Sequence, residues 1–350
     1  MRERPQAALF TALRQLGYRI DAPLENLWGL EKGPGRATKE AWVCHATHGD
    51  RIQADAYTLP AIIHARGPRA GTCRVSIEES SQFASALLLC SRRGTWRIEI
   101  TGENAEESPY VTLTFKLMAA FPRAGGTWQV EPDASSASYF WAANWLLARI
   151  PLGIAENEAR QLIASGKATS VMLPPVPRFE IARWPTSGWQ VDGKFPELLP
   201  LPEVLSREGQ LGDSIMTGIV IAPFASHPVR FTELGRLRLQ ECERVAALRT
   251  ELSKCGVEVL EHQDTLTVFP ASSVLHGAEI ETYNDHRMAM CFAILGLKVP
   301  GIRIKNPSCV KKTFPNFFQK LAASPPHGLG AAIRDAKAGR ELAVEELFAE

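Results

Sequence analysis

Thr282-Tyr-Asn-Asp-His-Arg-Met-Ala-Met290 is the stretch that decides how the rest of the chain is interpreted, and the apolar run Cys291-Phe-Ala-Ile-Leu-Gly-Leu297 follows it directly. Asp285, His286 and Arg287 place a carboxylate, an imidazole and a guanidinium side by side, and the apolar run behind them predicts a helix. Free N–H groups and the dipole at a helix start favour anions, so this polar group is a candidate anion site. An Asn or Asp that only caps the helix is an equally good interpretation.

The composition is that of an ordinary globular protein. The 350 residues are 45% hydrophobic and 22% charged, and this length favours two domains with ample core. A net charge of +1 predicts no nucleic-acid partner. No apolar run reaches the length of a membrane span and no signal-peptide core follows Met1, so we expect no membrane partner. Seven scattered cysteines without paired spacing predict reduced thiols and a cytoplasmic location.

Helix-like and strand-like segments alternate along the chain, which predicts an α/β protein assembled from similar modules. The clearest unit is an amphipathic helix over Glu241–Cys255 that stops at Gly256 and leads into a hairpin over 257–269. Residues 150–212, rich in Pro and Trp, show no chemistry that can be assigned. The expected division is a first domain at 1–130, a second at 131–325 and a helical tail at 326–350.

Two common kinds of site are not expected. Cys44, His45 and His48 are metal-ligand residue types, but no second ligand group stands near them, so we predict no metal site. Neither a Gly-rich phosphate loop nor a dinucleotide fingerprint occurs, which argues against a nucleotide.

The charged residues that could carry chemistry stand near predicted helix starts or strand ends in the C-terminal half: Asp213, Glu241, Arg244, Asp285, Arg287 and Lys312. A helix would place Glu241 and Arg244 on one face, although a surface ion pair is the plainer interpretation. Lys312, at a predicted helix start, opposes the helix dipole and so indicates a bound anion. Such cations, together with helix-start hydroxyls like those of Ser80 and Ser81, suit a phosphorylated small molecule.

Seven motifs occur in order along the chain: Arg2-Glu-Arg-Pro5, Ser80-Ser-Gln-Phe83, Ser108-Pro-Tyr110, Asp133-Ala-Ser-Ser-Ala-Ser-Tyr-Phe140, Glu241-x-x-Arg244, Thr282–Met290 and Lys312-Thr-Phe-Pro315. In kind and order they resemble the signature motifs of the 5-enolpyruvylshikimate-3-phosphate synthase family, and the resemblance covers nearly the whole chain except residues 150–212. The sister enolpyruvyl transferase that acts on UDP-N-acetylglucosamine shares the fold but lacks the Asn-Asp-His-Arg signature.

The resemblance implies an α/β fold of two domains built from βαβαββ modules, closing over the substrates. It implies transfer of the enolpyruvyl group of phosphoenolpyruvate to the 5-hydroxyl of shikimate 3-phosphate, with release of phosphate and without a metal or organic cofactor. Both partners are therefore small molecules, the pathway is that of aromatic amino acids, and a monomer is the family expectation.

The resemblance also implies roles for particular residues. Asp213 and Glu241 would be catalytic, Asp213 at the attacking hydroxyl and Glu241 near the methylene carbon. The residues expected to bind shikimate 3-phosphate are Ser80, Ser81, Gln82, Tyr110, Asp213, Arg236 and Gln240. Those expected to bind phosphoenolpyruvate are Gln82, Arg244, His286, Arg287 and Lys312. A reaction through cationic carbon and a tetrahedral adduct, beside two phosphates and a carboxylate, needs fixed cations and separately tuned carboxylates.

The chain departs from the family pattern in two places. Gln240 stands where the family has Lys, and Arg236 stands where it usually has Asn. Arg236 would then restore the lost cation, although Arg and Lys are not interchangeable in a packed site. Met1 falls inside a motif, so the family's N-terminal Lys-Ser…Arg segment and its Gly-Asn-Ala-Gly-Thr loop are missing, and we expect an incomplete N-terminal domain.

Three interpretations stay open at this point. The chain is a transferase whose start is assigned late or whose gene is split, and which needs the missing N-terminal segment for activity. Alternatively, it is a decayed, non-catalytic relative that at most binds shikimate 3-phosphate. The third interpretation is an enolpyruvyl transferase with another acceptor.

Overall fold

A computed structural model describes residues 6–21, 59, 61–78, 80–104, 108–148 and 181–350 of the chain. The motif at Arg2–Pro5, the residues Cys44, His45 and His48, and much of the stretch 150–212 lie outside the described residues. The contact pattern divides the chain into two compact units, Met1–Trp128 and Gln129–Glu350. This division falls within two residues of the boundary expected at 130.

Unit 1 is built around a β-α-β arrangement. Its elements are α1 (Ala7–Gln15), β1 (Arg19–Asp21), β2 (Ile62–His64), β3 (Gly71–Ser76), α2 (Gln82–Gly94), β4 (Trp96–Thr101) and α3 (Ser108–Ala120). Strands β3 and β4 pair in parallel and α2 connects them, while β1 and β2 pair antiparallel. The buried residues of α2 include Ala84, Leu87 and Leu88, and this spacing of three and four puts them on one helix face. That face packs in one cluster with Cys73 and Val75 of β3.

Unit 2 contains the larger core. Its α-helices are α4 (Ala134–Ala148), α5 (Ile215–Ile221), α6 (Arg244–Lys254), α7 (His286–Gly296) and α8 (Phe317–Ala322), and its strands are β5 (Val204–Ser206), β6 (Val229–Thr232), β7 (Val259–His262), β8 (Thr265–Val268), β9 (Glu279–Ile280) and β10 (Arg303–Ile304). Short 3-10 helices span Val191–Leu198, Ala222–Phe224, Gly235–Leu239, Pro307–Lys312 and Val344–Leu347.

The elements β5-α5-β6-α6-β7-β8 follow one another in the order of a βαβαββ module, as the resemblance implied. Strand β5 pairs in parallel with β6, and β8 pairs antiparallel with both β6 and β7, so the sheet order is β5-β6-β8-β7. The hairpin expected over 257–269 is confirmed as β7 and β8, with Val259 opposite Val268. Every residue of α5 is buried. A helix that is apolar on all sides belongs in the middle of a core, and α5 contacts α4, α6 and α7 there.

Residues 326–350 differ from the helical tail expected from the sequence. Only Val344–Leu347 is helical there, as a single 3-10 turn, and Arg334 forms an isolated bridge with Glu341. Gly330 and Gly339 both adopt φ of +69°, a left-handed conformation that interrupts an α-helix. Leu347 is buried in the core of unit 2, so this segment is part of that unit.

Among the described residues, no helix combines the length and the apolar character that crossing a membrane would require.

Candidate functional site

The turn before α7 has an unusual backbone. Tyr283 and Asn284 are consecutive non-glycine residues in the left-handed region, with φ of 53° and 57°. Such a conformation costs free energy, most of all for a bulky residue, and persists only where its surroundings fix it. Here the Tyr283 hydroxyl donates to Oε1 of Glu251 at 2.8 Å, and Oδ1 of Asn284 accepts from Nδ2 of Asn306 at 3.1 Å.

Glu251 of α6 is the buried support of this turn. Its side chain is fully buried, and it accepts from the backbone N–H of Glu281 at 3.1 Å as well as from Tyr283. Lys254, one turn further along α6, neutralises its charge at 2.7 Å. A buried carboxylate with this many partners fixes the path of the chain into α7.

Asp285 is the helix cap that the sequence offered as one interpretation, and it has a second partner that the sequence did not indicate. It caps α7, because Oδ1 accepts from the backbone N–H of Arg287 at 2.8 Å. It also forms a two-point ion pair with Arg244 of α6, with distances of 2.6 Å from Nε to Oδ2 and 3.3 Å from Nη2 to Oδ1. Both side chains are almost fully buried. Burial raises the pKa of Asp285, but the Arg244 guanidinium outweighs it and holds the carboxyl below its usual range.

Asp213 lies where three guanidinium groups meet. Arg287 Nε lies 3.1 Å from its Oδ2, while Arg207 Nη2 and Arg244 Nη1 lie 3.3 and 3.6 Å from its Oδ1. Burial raises the pKa of this carboxyl, but Arg287, Arg244 and Arg207 together lower it well below its ordinary value. Asp213 is therefore ionised throughout the physiological pH range.

Arg287 connects Asp213 to the serine-rich start of α4. Its Nη1 donates to the Ser135 hydroxyl at 2.6 Å and to the Tyr139 hydroxyl at 3.4 Å. The start of α4 is itself capped by Asp133, which accepts from the backbone N–H of Ser135 at 3.0 Å. Burial lowers the pKa of Arg287, but the nearby acids, Asp213 first among them, raise it above its ordinary value, so this group stays charged.

Glu241 and Lys312 form an ion pair at the more open side of the cluster. Lys312 Nζ donates to Glu241 Oε1, and the lysine side chain is about half exposed. The expected helix start at Lys312 is wrong, because the lysine ends the 3-10 helix Pro307–Lys312 and α8 begins only at Phe317. The expected common helix face for Glu241 and Arg244 is also wrong. Helix α6 begins at Arg244, so Glu241 lies outside it. Arg244 Nη2 lies 3.8 Å from Glu241 Oε2 at the start of the helix.

His286 is buried beside these charges. Its side chain is 4% exposed, and Nδ1 lies 3.6 Å from Oδ1 of Asp285. Burial and the Arg287 charge lower the pKa of His286 to about 4, against the opposing effect of Asp285. The imidazole is thus neutral at neutral pH, and the positive charge of the site comes from the arginines and Lys312.

Gln240 contributes a neutral amide to the same cluster. Its Nε2 donates to Asp213 Oδ1 at 3.3 Å, and its Oε1 accepts from Arg244 Nη1. Arg236 lies on the 3-10 helix Gly235–Leu239 that precedes it. That helix is held by Arg238, which pairs with Glu243 at 2.5 Å and Glu261 at 2.9 Å.

The remaining candidate residues lie in unit 1. Ser80 and Ser81 precede α2, whose first residue is Gln82, and the Ser80 hydroxyl accepts from the backbone N–H of Gln82 at 3.2 Å. Tyr110 lies in the first turn of α3 and is partly exposed. A hydrogen bond of 2.8 Å between Ser85 and Thr114 joins the two helices, so these candidates share one region of unit 1. Their binding roles stay predictions.

Taken together, the cluster in unit 2 carries four cations, namely Arg207, Arg244, Arg287 and Lys312, against the carboxylates of Asp213, Glu241 and Asp285. With His286 neutral these seven groups sum to +1. Arg207, Arg244 and Asp285 are buried, and the other four groups are at least partly exposed. Such a site can hold the carboxylates ionised and can exchange its internal ion pairs for those of an incoming polyanion. In the part of the chain that the structure describes, no group of three or more His, Cys, Asp or Glu residues is arranged to hold a metal ion.

Sequence reasoning missed several members of the cluster. Ser135 and Tyr139 belong to the motif Asp133–Phe140, to which no binding role was assigned, and the run of serines before Tyr139 was the available signal. Arg207 falls in the stretch 150–212, where no pattern marked it. Asp192 also lies in that stretch, and its Oδ1 accepts from the backbone N–H groups of Gly212 and Ser214, at 2.7 and 3.2 Å, on either side of Asp213.

The chain is similar to known proteins of one family. Residues 121–321 match the family model described as EPSP synthase (3-phosphoshikimate 1-carboxyvinyltransferase). The 3-phosphoshikimate 1-carboxyvinyltransferase of Aeromonas salmonicida (strain A449) is 33% identical, over 79% of this chain and 66% of the relative. The protein of the same name from Pseudomonas syringae pv. syringae (strain B728a) is 32% identical, over 92% of this chain and 69% of the relative.

Among solved structures, EPSP synthase from Acinetobacter baumannii is similar in fold, with a TM-score of 0.50 and 17% identity over 92% of this chain and 70% of that one. The chain thus spans about two thirds of the length of the relatives that it matches.

Proposed function

The chain belongs to the EPSP synthase family, and from that premise we propose that it transfers the enolpyruvyl group of phosphoenolpyruvate to the 5-hydroxyl of shikimate 3-phosphate. The product is the enolpyruvyl ether, and inorganic phosphate leaves. The observation that carries the proposal is the convergence of Arg244, Arg287 and Lys312, from three separate elements, on the carboxylates of Asp213 and Glu241.

The cations suit phosphoenolpyruvate, which brings a phosphate and a carboxylate. Arg244 and Arg287 offer planar guanidinium groups that pair with such anions at two points, and Lys312 offers a mobile point charge. His286, neutral at pH 7, adds a hydrogen-bonding group without further charge. In the absence of substrate the cations pair with the protein's own carboxylates, which the substrate anions replace.

Asp213 takes the role of the base at the acceptor hydroxyl. Its low pKa results from the surrounding guanidiniums, and a polyanion that pairs with Arg244 and Arg287 offsets part of their positive potential. The pKa of Asp213 then rises toward the range in which it accepts a proton. The basicity of the Asp213 carboxylate is thereby coupled to binding of the polyanionic substrate.

Glu241 and Lys312 carry out the proton transfers at the methylene carbon. A proton delivered to that carbon leaves a cationic carbon, which the acceptor oxygen attacks to give a tetrahedral adduct. Lys312, which donates to Glu241, supplies the proton that the carboxylate passes to the methylene carbon. Loss of phosphate, which takes the proton held by Asp213, and of one methyl proton then regenerates the double bond. The methyl proton goes to the Glu241 carboxylate, which acts as the base of this second step.

The acceptor side is assigned residue by residue. Ser80, Ser81, Gln82 and Tyr110 would hold shikimate 3-phosphate, together with Asp213, Arg236 and Gln240 of unit 2, and Gln82 would also contact phosphoenolpyruvate. We further propose a cytoplasmic location, which is supported by the free thiols of all six cysteines among the described residues. A monomeric state remains the expectation.

The test is phosphate release by the purified chain, with phosphoenolpyruvate and one of three acceptors. Release that depends on shikimate 3-phosphate, with shikimate and UDP-N-acetylglucosamine at least a hundredfold slower, is the expected result. If phosphate is released only with one of the other two acceptors, that acceptor takes the place of shikimate 3-phosphate in the proposal. Absence of release with all three, while an established family member is active in the same assay, would overturn it.

A further inference from the structure

Arg207 is a buried guanidinium at the edge of the cluster. It follows strand β5 directly, and its backbone N–H donates to the carbonyl of Thr232, the last residue of β6, at 3.2 Å. Its side chain is 4% exposed and reaches Asp213, where Nη2 donates to Oδ1 at 3.3 Å. The backbone of Arg207 is therefore held by the sheet.

The two oxygens of Asp213 have different surroundings. Oδ2 lies 3.1 Å from Arg287 Nε, whereas Oδ1 lies 3.3 Å from Arg207 Nη2, 3.3 Å from Gln240 Nε2 and 3.6 Å from Arg244 Nη1. Of the donors at Oδ1, Gln240 is neutral, and Arg244 is held mainly by its two-point pair with Asp285. Among the residues that the structure describes, Arg207 is thus the cation within hydrogen-bond distance of this oxygen.

The cations around Asp213 also differ in whether they are assigned to bind phosphoenolpyruvate. Arg287 and Arg244 are assigned to phosphoenolpyruvate, so their pairing with Asp213 weakens when substrate enters. Arg207 has no such assignment and stays at Oδ1, where it fixes the orientation of the carboxylate and leaves Oδ2 to face the acceptor.

We infer that Arg207 is a positioning residue of the transfer reaction, which keeps the Asp213 carboxylate ionised and oriented and supplies the charge that neutral Gln240 does not. This inference rests on the proposed function, in which Asp213 takes the proton of the acceptor hydroxyl. The charged and titratable groups that face Asp213 are Arg207 beyond β5, Arg244 of α6, His286 and Arg287 of α7, and Asp192 on the 3-10 helix Val191–Leu198.

The experiment compares the pH dependence of kcat in wild type, Arg207→Gln, Arg207→Lys and the double variant Arg207→Gln with Gln240→Lys. Loss of a charge-assisted hydrogen bond to a carboxylate corresponds to about one pH unit, so the acid limb of the Arg207→Gln profile should move up by about that much. KM for phosphoenolpyruvate should stay within about threefold, because Arg207 is not assigned to that substrate.

The two other variants separate charge from packing. Arg207→Lys keeps the charge and should move the acid limb less than Arg207→Gln does. In the double variant an ammonium group replaces the amide at the same oxygen, Oδ1, and should move the acid limb back toward wild type. A wild-type profile for Arg207→Gln, or a double variant no better than the single one, would overturn the inference.

A second readout does not depend on turnover. In protein labelled with carbon-13 at aspartate carboxylates, the Asp213 carboxyl should begin to gain its proton at a higher pH in Arg207→Gln than in wild type, and Gln240→Lys in the double variant should reverse this change. The same pH dependence of the Asp213 resonance in wild type and Arg207→Gln would count against the assigned role of the charge at Oδ1. If wild type shows no transfer at all, the proposed function fails, and the titration still decides whether cations at Oδ1 control Asp213.

Discussion

His286 gives the chain a measurable acid sensitivity. The imidazole is 4% exposed, and burial together with the Arg287 charge lowers its pKa from 6.5 to about 4. Between these two values the unfolded chain binds a proton that the folded chain does not, so the free energy of unfolding falls as the pH falls. The contribution is fully present above pH 6.5 and is lost as the pH approaches 4.

The magnitude follows from the shift. A difference of about 2.5 pKa units, at 1.36 kcal/mol per unit, corresponds to about 3 kcal/mol in total, of which about 2.5 kcal/mol is lost by pH 4.5. The variant His286→Asn cannot gain this proton. Its free energy of unfolding, compared with that of wild type, should therefore improve by about 2.5 kcal/mol between pH 7.5 and pH 4.5.

The assay is urea unfolding of wild type and His286→Asn at both pH values. His262→Asn serves as a matched control, because His262 is an exposed histidine at the end of β7. The difference between His262→Asn and wild type measures what the loss of an exposed histidine contributes at each pH. A change below about 0.5 kcal/mol for His286→Asn, or an imidazole resonance of His286 that titrates near pH 6.5, would refute the reasoning.

Three further predictions concern the same cluster. Arg287→Ala should raise KM for phosphoenolpyruvate roughly ten- to hundredfold through the loss of charge-assisted hydrogen bonds, and an unchanged KM in steady-state kinetics would contradict its assignment. Asp285→Ala should lower the free energy of unfolding by about 3–5 kcal/mol, since it leaves the buried Arg244 without its main partner. Urea unfolding measures this loss, and a loss below about 1 kcal/mol would show that Asp213 and Glu241 suffice to neutralise Arg244. Glu251→Ala should lower the free energy of unfolding by about 1–3 kcal/mol, and Tyr283→Phe should lower it by no more than about 1 kcal/mol. Equal losses would mean that the hydrogen bond from the backbone N–H of Glu281 to Glu251 contributes nothing.

The sequence was most informative where one residue type meets two physical demands. Asp285 is the helix cap that the sequence offered and also the ion-pair partner of Arg244, while anion binding at this turn stays a prediction. The hairpin after α6 was predictable because Gly256 ends the helix and β-branched residues alternate beyond it. Helix caps, helix-ending glycines and alternating strand residues act on neighbouring residues, so the folded chain retains the local structure that they predict.

Helix starts were less predictable. The amphipathic pattern over Glu241–Cys255 overstated the helix at its beginning, since Glu243 caps α6 and leaves Glu241 outside it. Lys312 was placed at a helix start, but the lysine ends a 3-10 helix, where a cation suits the dipole. Boundaries of this kind depend on which side chain takes the cap, and that is decided by tertiary contacts.

Two other differences have non-local causes. The C-terminal residues 326–350 looked helical by composition, but glycines in the left-handed region break the run and Leu347 packs into the core of unit 2. Arg207 carries no pattern in the sequence. It becomes part of the cluster only because β5 pairs with β6 in parallel and places the following residue beside Asp213.

The central claim is that the cation cluster of unit 2 supports enolpyruvyl transfer by this chain. Phosphorus-31 NMR of the chain mixed with phosphoenolpyruvate and shikimate 3-phosphate follows both substrates and released phosphate in one sample. The account predicts that the phosphoenolpyruvate resonance declines as inorganic phosphate grows, one for one with a shifted resonance of the phosphorylated acceptor, and that Asp213→Asn slows this conversion at least a hundredfold. Substrate resonances that stay constant with wild type, or a conversion equally fast with Asp213→Asn, would contradict it.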